Sequence, residues 1–141
     1  DQDSEAEAPE SVARLKRAVE EADALMFVTP EYNRSIPGAL KNAIDWGSRP
    51  YGQNVFTGKP SAVIGASIGQ IGTAVGQQHL RTILGFCNSP QMNAPEAYIY
   101  FTPGLVTDDG EVTVPETEEF LRGFMQSLSD FTRRVLGSVP E

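Results

Sequence analysis

Apolar residues near the start of the chain first follow a helical period and then form an unbroken run. Val12, Leu15 and Val19 recur at helical spacing with charged residues between them, which predicts an amphipathic helix that packs on a sheet. Residues 24–28 are apolar at every position, which is typical of a strand buried on both faces of a parallel sheet. Residues 1–8 are acidic and polar without an apolar period, so we expect them to be poorly ordered.

The strand at residues 24–28 is followed by a polar turn and a second helix. Ser35 is a suitable N-cap for this helix, Pro37 would lie in its first turn, and Gly47 is placed to end it. A further apolar run, residues 60–66, predicts the next strand. The order of strand, turn and helix then begins again.

Three later segments complete the pattern. Residues 67–72 form a turn with glycines, and apolar residues at helical spacing follow between 75 and 84. β-branched and aromatic residues at 97–101 predict a third strand, and an apolar stripe between 116 and 136 predicts a long final helix that covers one sheet face. Together these elements predict a doubly wound α/β fold with a parallel sheet and right-handed crossovers, in a single domain spanning residues 1–141.

Three strands are few for such a sheet. An apolar strand such as residues 24–28 requires a neighbour on each side, because an exposed apolar edge promotes aggregation. The strand at residues 60–66 fills one of these sides. We therefore expect a strand–helix–strand segment before Asp1 in the native protein, so that the domain formed by residues 1–141 would be N-terminally incomplete.

The balance of charges limits the classes of partner. The chain has 11 basic and 19 acidic residues, a net charge of −8, and no basic cluster longer than the pair Arg133-Arg134, so we expect no nucleic-acid or membrane surface. Apolar runs fall far short of the ~20 residues of a membrane-spanning helix, and no signal segment opens the chain, which favours a cytoplasmic protein. Cys87 is the single cysteine; we interpret it as a packed thiol, and we expect no metal site.

Candidate binding residues lie in the two turns that follow the first two predicted strands. Ligands bind parallel α/β folds at the carboxyl ends of strands, and the first of these turns reads Pro30-Glu31-Tyr32-Asn33. Taken alone, these four residues are equally compatible with a plain surface turn in which the asparagine tolerates left-handed backbone geometry.

The second turn follows the pattern G-x-S-x-G at residues 65–69, which is also the nucleophile elbow of α/β-hydrolases. A serine hydrolase of that type requires the chain order Ser, acid, His. The only histidine, His79, follows Ser67 within the next predicted helix. The hydrolase interpretation is therefore disfavoured, and His79 is interpreted as a packing or interface residue.

A longer comparison is more specific. Residues 29–46, TPEYNRSIPGALKNAIDW, resemble the signature of the NAD(P)H-dependent FMN reductase family, flavodoxin-like enzymes that include quinone, azo-dye and chromate reductases. Residues 58–60, 65–74, 79–81 and 95–99 resemble later landmarks of the same family in the same order. The resemblance implies a flavodoxin-like three-layer α/β sandwich with FMN as cofactor, NAD(P)H as cosubstrate and a quinone or similar small acceptor. It also implies a homodimer or homotetramer.

The resemblance also implies where the cofactor binds. In the family, the Pro-Glu-Tyr-Asn turn contacts the ring and ribityl side of FMN, and the turn after the next strand lies at the isoalloxazine edge. The residues of this chain at those positions are Pro30, Glu31, Tyr32, Asn33, Ser67, Ile68, Gly69, Gln70 and Gly72. The family often has a second glycine where Gln70 or Ile68 stands. No general acid or base is implied, because the cofactor carries the reaction.

One part of the family pattern is missing. Family members hold the FMN phosphate on a Ser/Arg-rich turn after their first strand, at a helix N-terminus, and this chain contains no such segment. The alternative to a reductase is therefore a non-catalytic flavodoxin-like electron carrier or a flavin-free binding module.

Overall fold

Three parallel strands form one sheet in the order β1-β2-β3. The structure is a computed structural model and describes residues 2–137. The strands are β1 (Leu25–Val28), β2 (Ser61–Ser67) and β3 (Ala97–Tyr100), and the helices are α1 (Glu10–Glu21), α2 (Gly38–Gly47), α3 (Ala74–Phe86) and α4 (Pro115–Gly137). Val28 pairs with Ile64, and Ser67 pairs with Tyr100. Because all strands run in one direction, their carboxyl ends lie at the same edge of the sheet.

Apolar cores lie on both faces of the sheet. On one face, residues of α1, α2 and α3 surround Val63 of β2, and the buried members of this core are Val19, Ile36, Ile44, Val55, Phe56, Val63, Leu80, Leu84 and Cys87. On the other face, Phe124 and Leu128 of α4 pack on Ala62 and Ala97. The helices thus cover the sheet in three layers, as predicted for a flavodoxin-like fold. Within residues 2–137, no helix combines the length and hydropathy required to cross a bilayer.

The prediction that β1 is buried on both faces is wrong for the described residues. Leu25 and Phe27 pack against the first core, whereas Met26 is exposed and Val28 is 68% exposed. β1 is an edge strand of the described sheet, and the contacts of α4 with the sheet lie mainly on β2. The expected strand–helix–strand segment would supply apolar partners for this surface, and its existence stays a prediction.

Two local predictions are also corrected. Residues 2–7, expected to be poorly ordered, form a 3-10 helix, and the carboxylate of Glu5 lies 3.8 Å from the guanidinium of Arg49. The N-cap of α2 is Pro37 rather than Ser35. Ser35 is instead paired with Tyr32 through two backbone hydrogen bonds, so its backbone belongs to the preceding turn.

Candidate functional site

Three turns meet at the carboxyl edge of the sheet, one after each strand. We call residues 29–35 the first turn, residues 67–73 the second turn and residues 101–104 the third turn. The N–H of Phe101 donates a hydrogen bond of 2.8 Å to the carbonyl of Ser67, which joins the third turn to the second. The N–H of Thr29 donates to the carbonyl of Ile64 over 3.0 Å, which holds the first turn beside the end of β2. The sheet therefore brings all three turns together.

The first turn is a tight hairpin. The N–H of Tyr32 donates to the carbonyl of Ser35 and the N–H of Ser35 donates to the carbonyl of Tyr32, each over 2.9 Å. The two residues between them, Asn33 and Arg34, have φ angles of 50° and 63°. Positive φ at both central residues defines a type I′ turn, for which asparagine is favoured. Tyr32 is 60% exposed and Asn33 is exposed, so the hairpin presents both side chains outward.

The side chain of Glu31 points inward instead. Its Oε2 accepts a hydrogen bond of 2.9 Å from the N–H of Gly76, the third residue of α3. Its Oε1 lies 3.2 Å from Nη1 of Arg34, and the Glu31 side chain is only 8% exposed. The carboxylate is thus bound by the protein itself, unlike the side chains of Tyr32 and Asn33.

The second turn is exposed and is held by its own hydrogen bonds. The hydroxyl of Ser67 accepts a hydrogen bond of 3.0 Å from the N–H of Gly69, and the N–H of Gly72 donates to the carbonyl of Gly69 over 2.8 Å. Gly72 has a φ of 63°, a conformation that glycine adopts without strain. Residues 68–71 are exposed, and Ile68 is 80% exposed. Because its main chain is fixed by its own hydrogen bonds, this exposed turn can present a constant surface to a flat ligand.

The bases of the first two turns touch at Gly65. A Cβ built on Gly65 would lie 2.3 Å from the carbonyl oxygen of Thr29 and 2.3 Å from Oγ1 of Thr73. Thr73 in turn accepts a hydrogen bond of 2.8 Å from Nε2 of Gln77, and the same nitrogen donates to the carbonyl of Ala97 over 2.8 Å. Sequence reasoning missed these buried polar residues. The sequence feature that could have indicated them is a threonine at the start of a predicted helix with a glutamine four residues later, where the two side chains lie close together.

The hydrolase alternative lacks its base in this geometry. Nδ1 of His79 lies 3.1 Å from Oγ of Ser35, so the histidine contacts the first turn, and the hydroxyl of Ser67 is bonded within its own turn. Among residues 2–137, no group of three or more His, Cys, Asp or Glu side chains could hold a metal ion.

The exposed groups at this edge of the sheet have hydrogen-bonding capacity that suits the ring of a flavin. The Asn33 amide and main-chain groups of the second turn can meet the nitrogen and carbonyl atoms of an isoalloxazine. The described residues of these turns offer fewer groups for the FMN phosphate. Arg34 is paired with Glu31, and the N–H of Gly76 already donates to the Glu31 carboxylate. The residues present therefore fit the ring portion of the cofactor.

Comparisons with known proteins agree with this geometry. A quinone reductase of Escherichia coli K12 is 41% identical over 132 residues, which is 90% of this chain and 68% of that protein. A 2-hydroxy-1,4-benzoquinone reductase from a Burkholderia species is 44% identical over 132 residues, 94% of this chain and 72% of the relative.

A solved structure is similar over nearly the whole chain. It is the flavoenzyme FerB, an NAD(P)H:(acceptor) oxidoreductase from Paracoccus denitrificans, with a TM-score of 0.91 and 48% identity over 95% of this chain and 74% of that one. Residues 1–103 match the profile of the family described as NADPH-dependent FMN reductase. The chain therefore belongs to the NADPH-dependent FMN reductase family, a class of oxidoreductase that uses FMN as cofactor and NAD(P)H as cosubstrate.

Proposed function

We propose that the protein reduces quinones or related small acceptors with electrons from NAD(P)H, through FMN bound at the carboxyl edge of the sheet. The observation that carries this proposal is the convergence of the first and second turns, held together at Gly65. Named relatives that reduce quinones support the choice of acceptor. Bound FMN would supply the hydride chemistry, which leaves binding and orientation to the protein.

The two turns have different parts in this proposal. Pro30, Tyr32 and Asn33 would contact the ring and ribityl side, because the hairpin holds the Tyr32 and Asn33 side chains outward on a rigid turn. The second turn would contact the isoalloxazine edge with residues Ser67, Ile68, Gly69, Gln70 and Gly72, whose main chain is fixed by its own hydrogen bonds. The exposed side chain of Ile68 would limit the space left for an acceptor beside the ring.

We further propose a homodimer or homotetramer located in the cytoplasm, with residues 1–141 belonging to one domain. Two aromatic side chains support self-association: Phe86 at the end of α3 is 93% exposed and Tyr51 is 92% exposed. Aromatic residues are enriched in the cores of protein–protein interfaces relative to the rest of the surface. Light scattering of the purified protein and of a Phe86→Ser variant would test this, since a monomeric wild type would contradict the proposal.

The catalytic proposal is tested by purifying the protein and adding FMN, NAD(P)H and a quinone. We expect visible flavin absorbance in the gel-filtered protein, its loss when NAD(P)H is added without oxygen, and its return when the quinone is added. Flavin that binds but does not turn over with any quinone would indicate an electron carrier. A colourless protein that takes up no FMN would indicate a flavin-free binding module.

A further inference from the structure

The carboxylate of Glu31 joins two parts of the chain that are 45 residues apart in sequence. Its Oε2 accepts a hydrogen bond from the N–H of Gly76, and its Oε1 contacts Arg34 within the first turn. Both oxygens are thus bound, and the side chain is almost completely buried. A buried carboxylate with partners on both sides restrains the elements that it connects.

The contact between the first turn and α3 is close as well as polar. A Cβ built on Gly76 would lie 3.0 Å from the carbonyl oxygen of Ser35 and 3.3 Å from Cγ of Glu31. The helix start therefore packs directly against the end of the hairpin. Gly76 is the third residue of α3, so its N–H is one of those that have no partner within the helix. The carboxylate supplies that partner and also interacts favourably with the positive end of the helix dipole.

We propose that Glu31 is a positioning residue for the flavin, which fixes the first turn on the N-terminus of α3 and thereby orients Tyr32 and Asn33. This inference rests on the proposed function. It differs from the role that the resemblance implied for Glu31, because the side chain acts through the turn and does not touch the cofactor. It also means that the N–H of Gly76 is used by the protein and is not free for the cofactor phosphate.

The two roles predict different effects in the flavin-free protein. A carboxylate that contacted the ring or ribityl side of FMN would accept hydrogen bonds from the ribityl hydroxyls or the ring N3–H, so its removal would weaken FMN binding and leave the flavin-free first turn unchanged. Removing a carboxylate that holds the first turn in place also weakens FMN binding, because an unrestrained turn must be ordered when the flavin binds, but it loosens the turn before any flavin is present. Amide exchange in the flavin-free protein therefore separates the two roles.

The experiment compares Glu31→Ala and Glu31→Gln with Glu21→Ala, which removes the same charge from an exposed position at the end of α1, near the amino end of β1. Amide hydrogen exchange of Gly76 and Ser35 is measured in the flavin-free proteins, and the FMN dissociation constant is measured by quenching of flavin fluorescence. For Glu31→Ala we expect faster exchange at both amides and an FMN dissociation constant about tenfold higher, from the loss of a hydrogen bond to a charged acceptor.

Glu31→Gln keeps an oxygen acceptor and should recover part of both effects, whereas Glu21→Ala should leave both measurements unchanged. Unchanged exchange in Glu31→Ala would overturn the proposal, and so would an FMN affinity that stayed equal or increased. A wild-type protein that binds no FMN would overturn the proposed function instead. The exchange rates would then still decide whether Glu31 fixes the first turn on α3.

Discussion

The backbone of Gly65 passes so close to Thr73 that a Cβ at position 65 would lie 2.3 Å from the threonine hydroxyl oxygen. The carbonyl oxygen of Thr29 lies at the same distance from that position. Strand β2 therefore meets both the first and the second turn at one residue that has no side chain. The relative position of the two turns, on which the proposed flavin site depends, requires glycine here.

Replacing Gly65 with alanine should destabilise the fold. The new methyl group would meet a backbone oxygen that cannot move alone, so we expect a loss of about 3 kcal/mol in the free energy of unfolding. Urea unfolding followed by circular dichroism measures this. The matched control is Gly123→Ala on α4, where no atom lies within 4 Å of the added Cβ; this helical position should gain about 0.5–1 kcal/mol. Equal effects of the two substitutions would contradict the close packing at Gly65.

Replacing Gln77 with glutamate should destabilise the fold. Its side-chain nitrogen donates to Thr73 and to the carbonyl of Ala97 in a fully buried position. In Gln77→Glu an ionised side chain cannot donate to Ala97, and burial raises the pKa of such a carboxyl. We expect a loss of about 3 kcal/mol at neutral pH.

The pH dependence of that variant gives a second check. A group whose folded-state pKa is raised contributes most stability when protonated, so the deficit of Gln77→Glu relative to wild type should shrink as pH falls toward about 4. The control is Gln53→Glu at an exposed position of the loop between α2 and β2, which should change stability by less than about 0.5 kcal/mol. A deficit independent of pH would show that the carboxyl reaches solvent.

Deprotonation of the Cys87 thiol should lower the free energy of unfolding in alkaline solution. Burial raises the pKa of its thiol from the ordinary value of 9.0, and the negative charge of Asp45 raises it further, against a smaller opposing effect of Lys41. The folded protein therefore holds this proton more tightly than the unfolded chain, and stability should fall as pH rises through the unfolded-state pKa. Urea midpoints between about pH 8 and pH 10 should fall less in Cys87→Ala than in wild type. Identical slopes would contradict this.

The conformation of Asn33 should matter for flavin binding. Its φ of 50° is accessible to glycine and asparagine but strained for a β-branched residue. We expect Asn33→Val to raise the FMN dissociation constant about tenfold, because the strain of about 1–2 kcal/mol would distort the first turn. Asn33→Gly keeps the turn and removes the amide. If the glycine variant bound FMN as weakly as the valine variant, the side-chain amide rather than the turn geometry would be decisive.

The sequence predicted where the proposed site lies in the fold, but not how each of its side chains is oriented. The sequence placed Tyr32, Asn33 and Ser67 in turns after successive strands, and the structure brings those turns to one edge. Their contacts with FMN stay predictions. The assignment of Glu31 to the cofactor from the same motif is likewise untested, and the structure shows its carboxylate bound by Gly76 and Arg34. The motif shows that a glutamate belongs in this turn, but not which way its side chain points.

The sequence by itself determined the order and type of the main elements. Unbroken apolar runs, glycine-bearing turns and amphipathic periods are local signals, so they correctly located all three described strands and the four α-helices. The tertiary structure alone decided which surfaces are covered and which distant groups meet. Val28 looks like a core residue in its apolar run but is exposed, because β1 lies at the edge of the described sheet and α4 contacts the sheet mainly on β2. Ser35 looks like a helix cap but closes a hairpin with Tyr32. Such outcomes depend on packing between elements far apart in the chain, which local propensity does not encode.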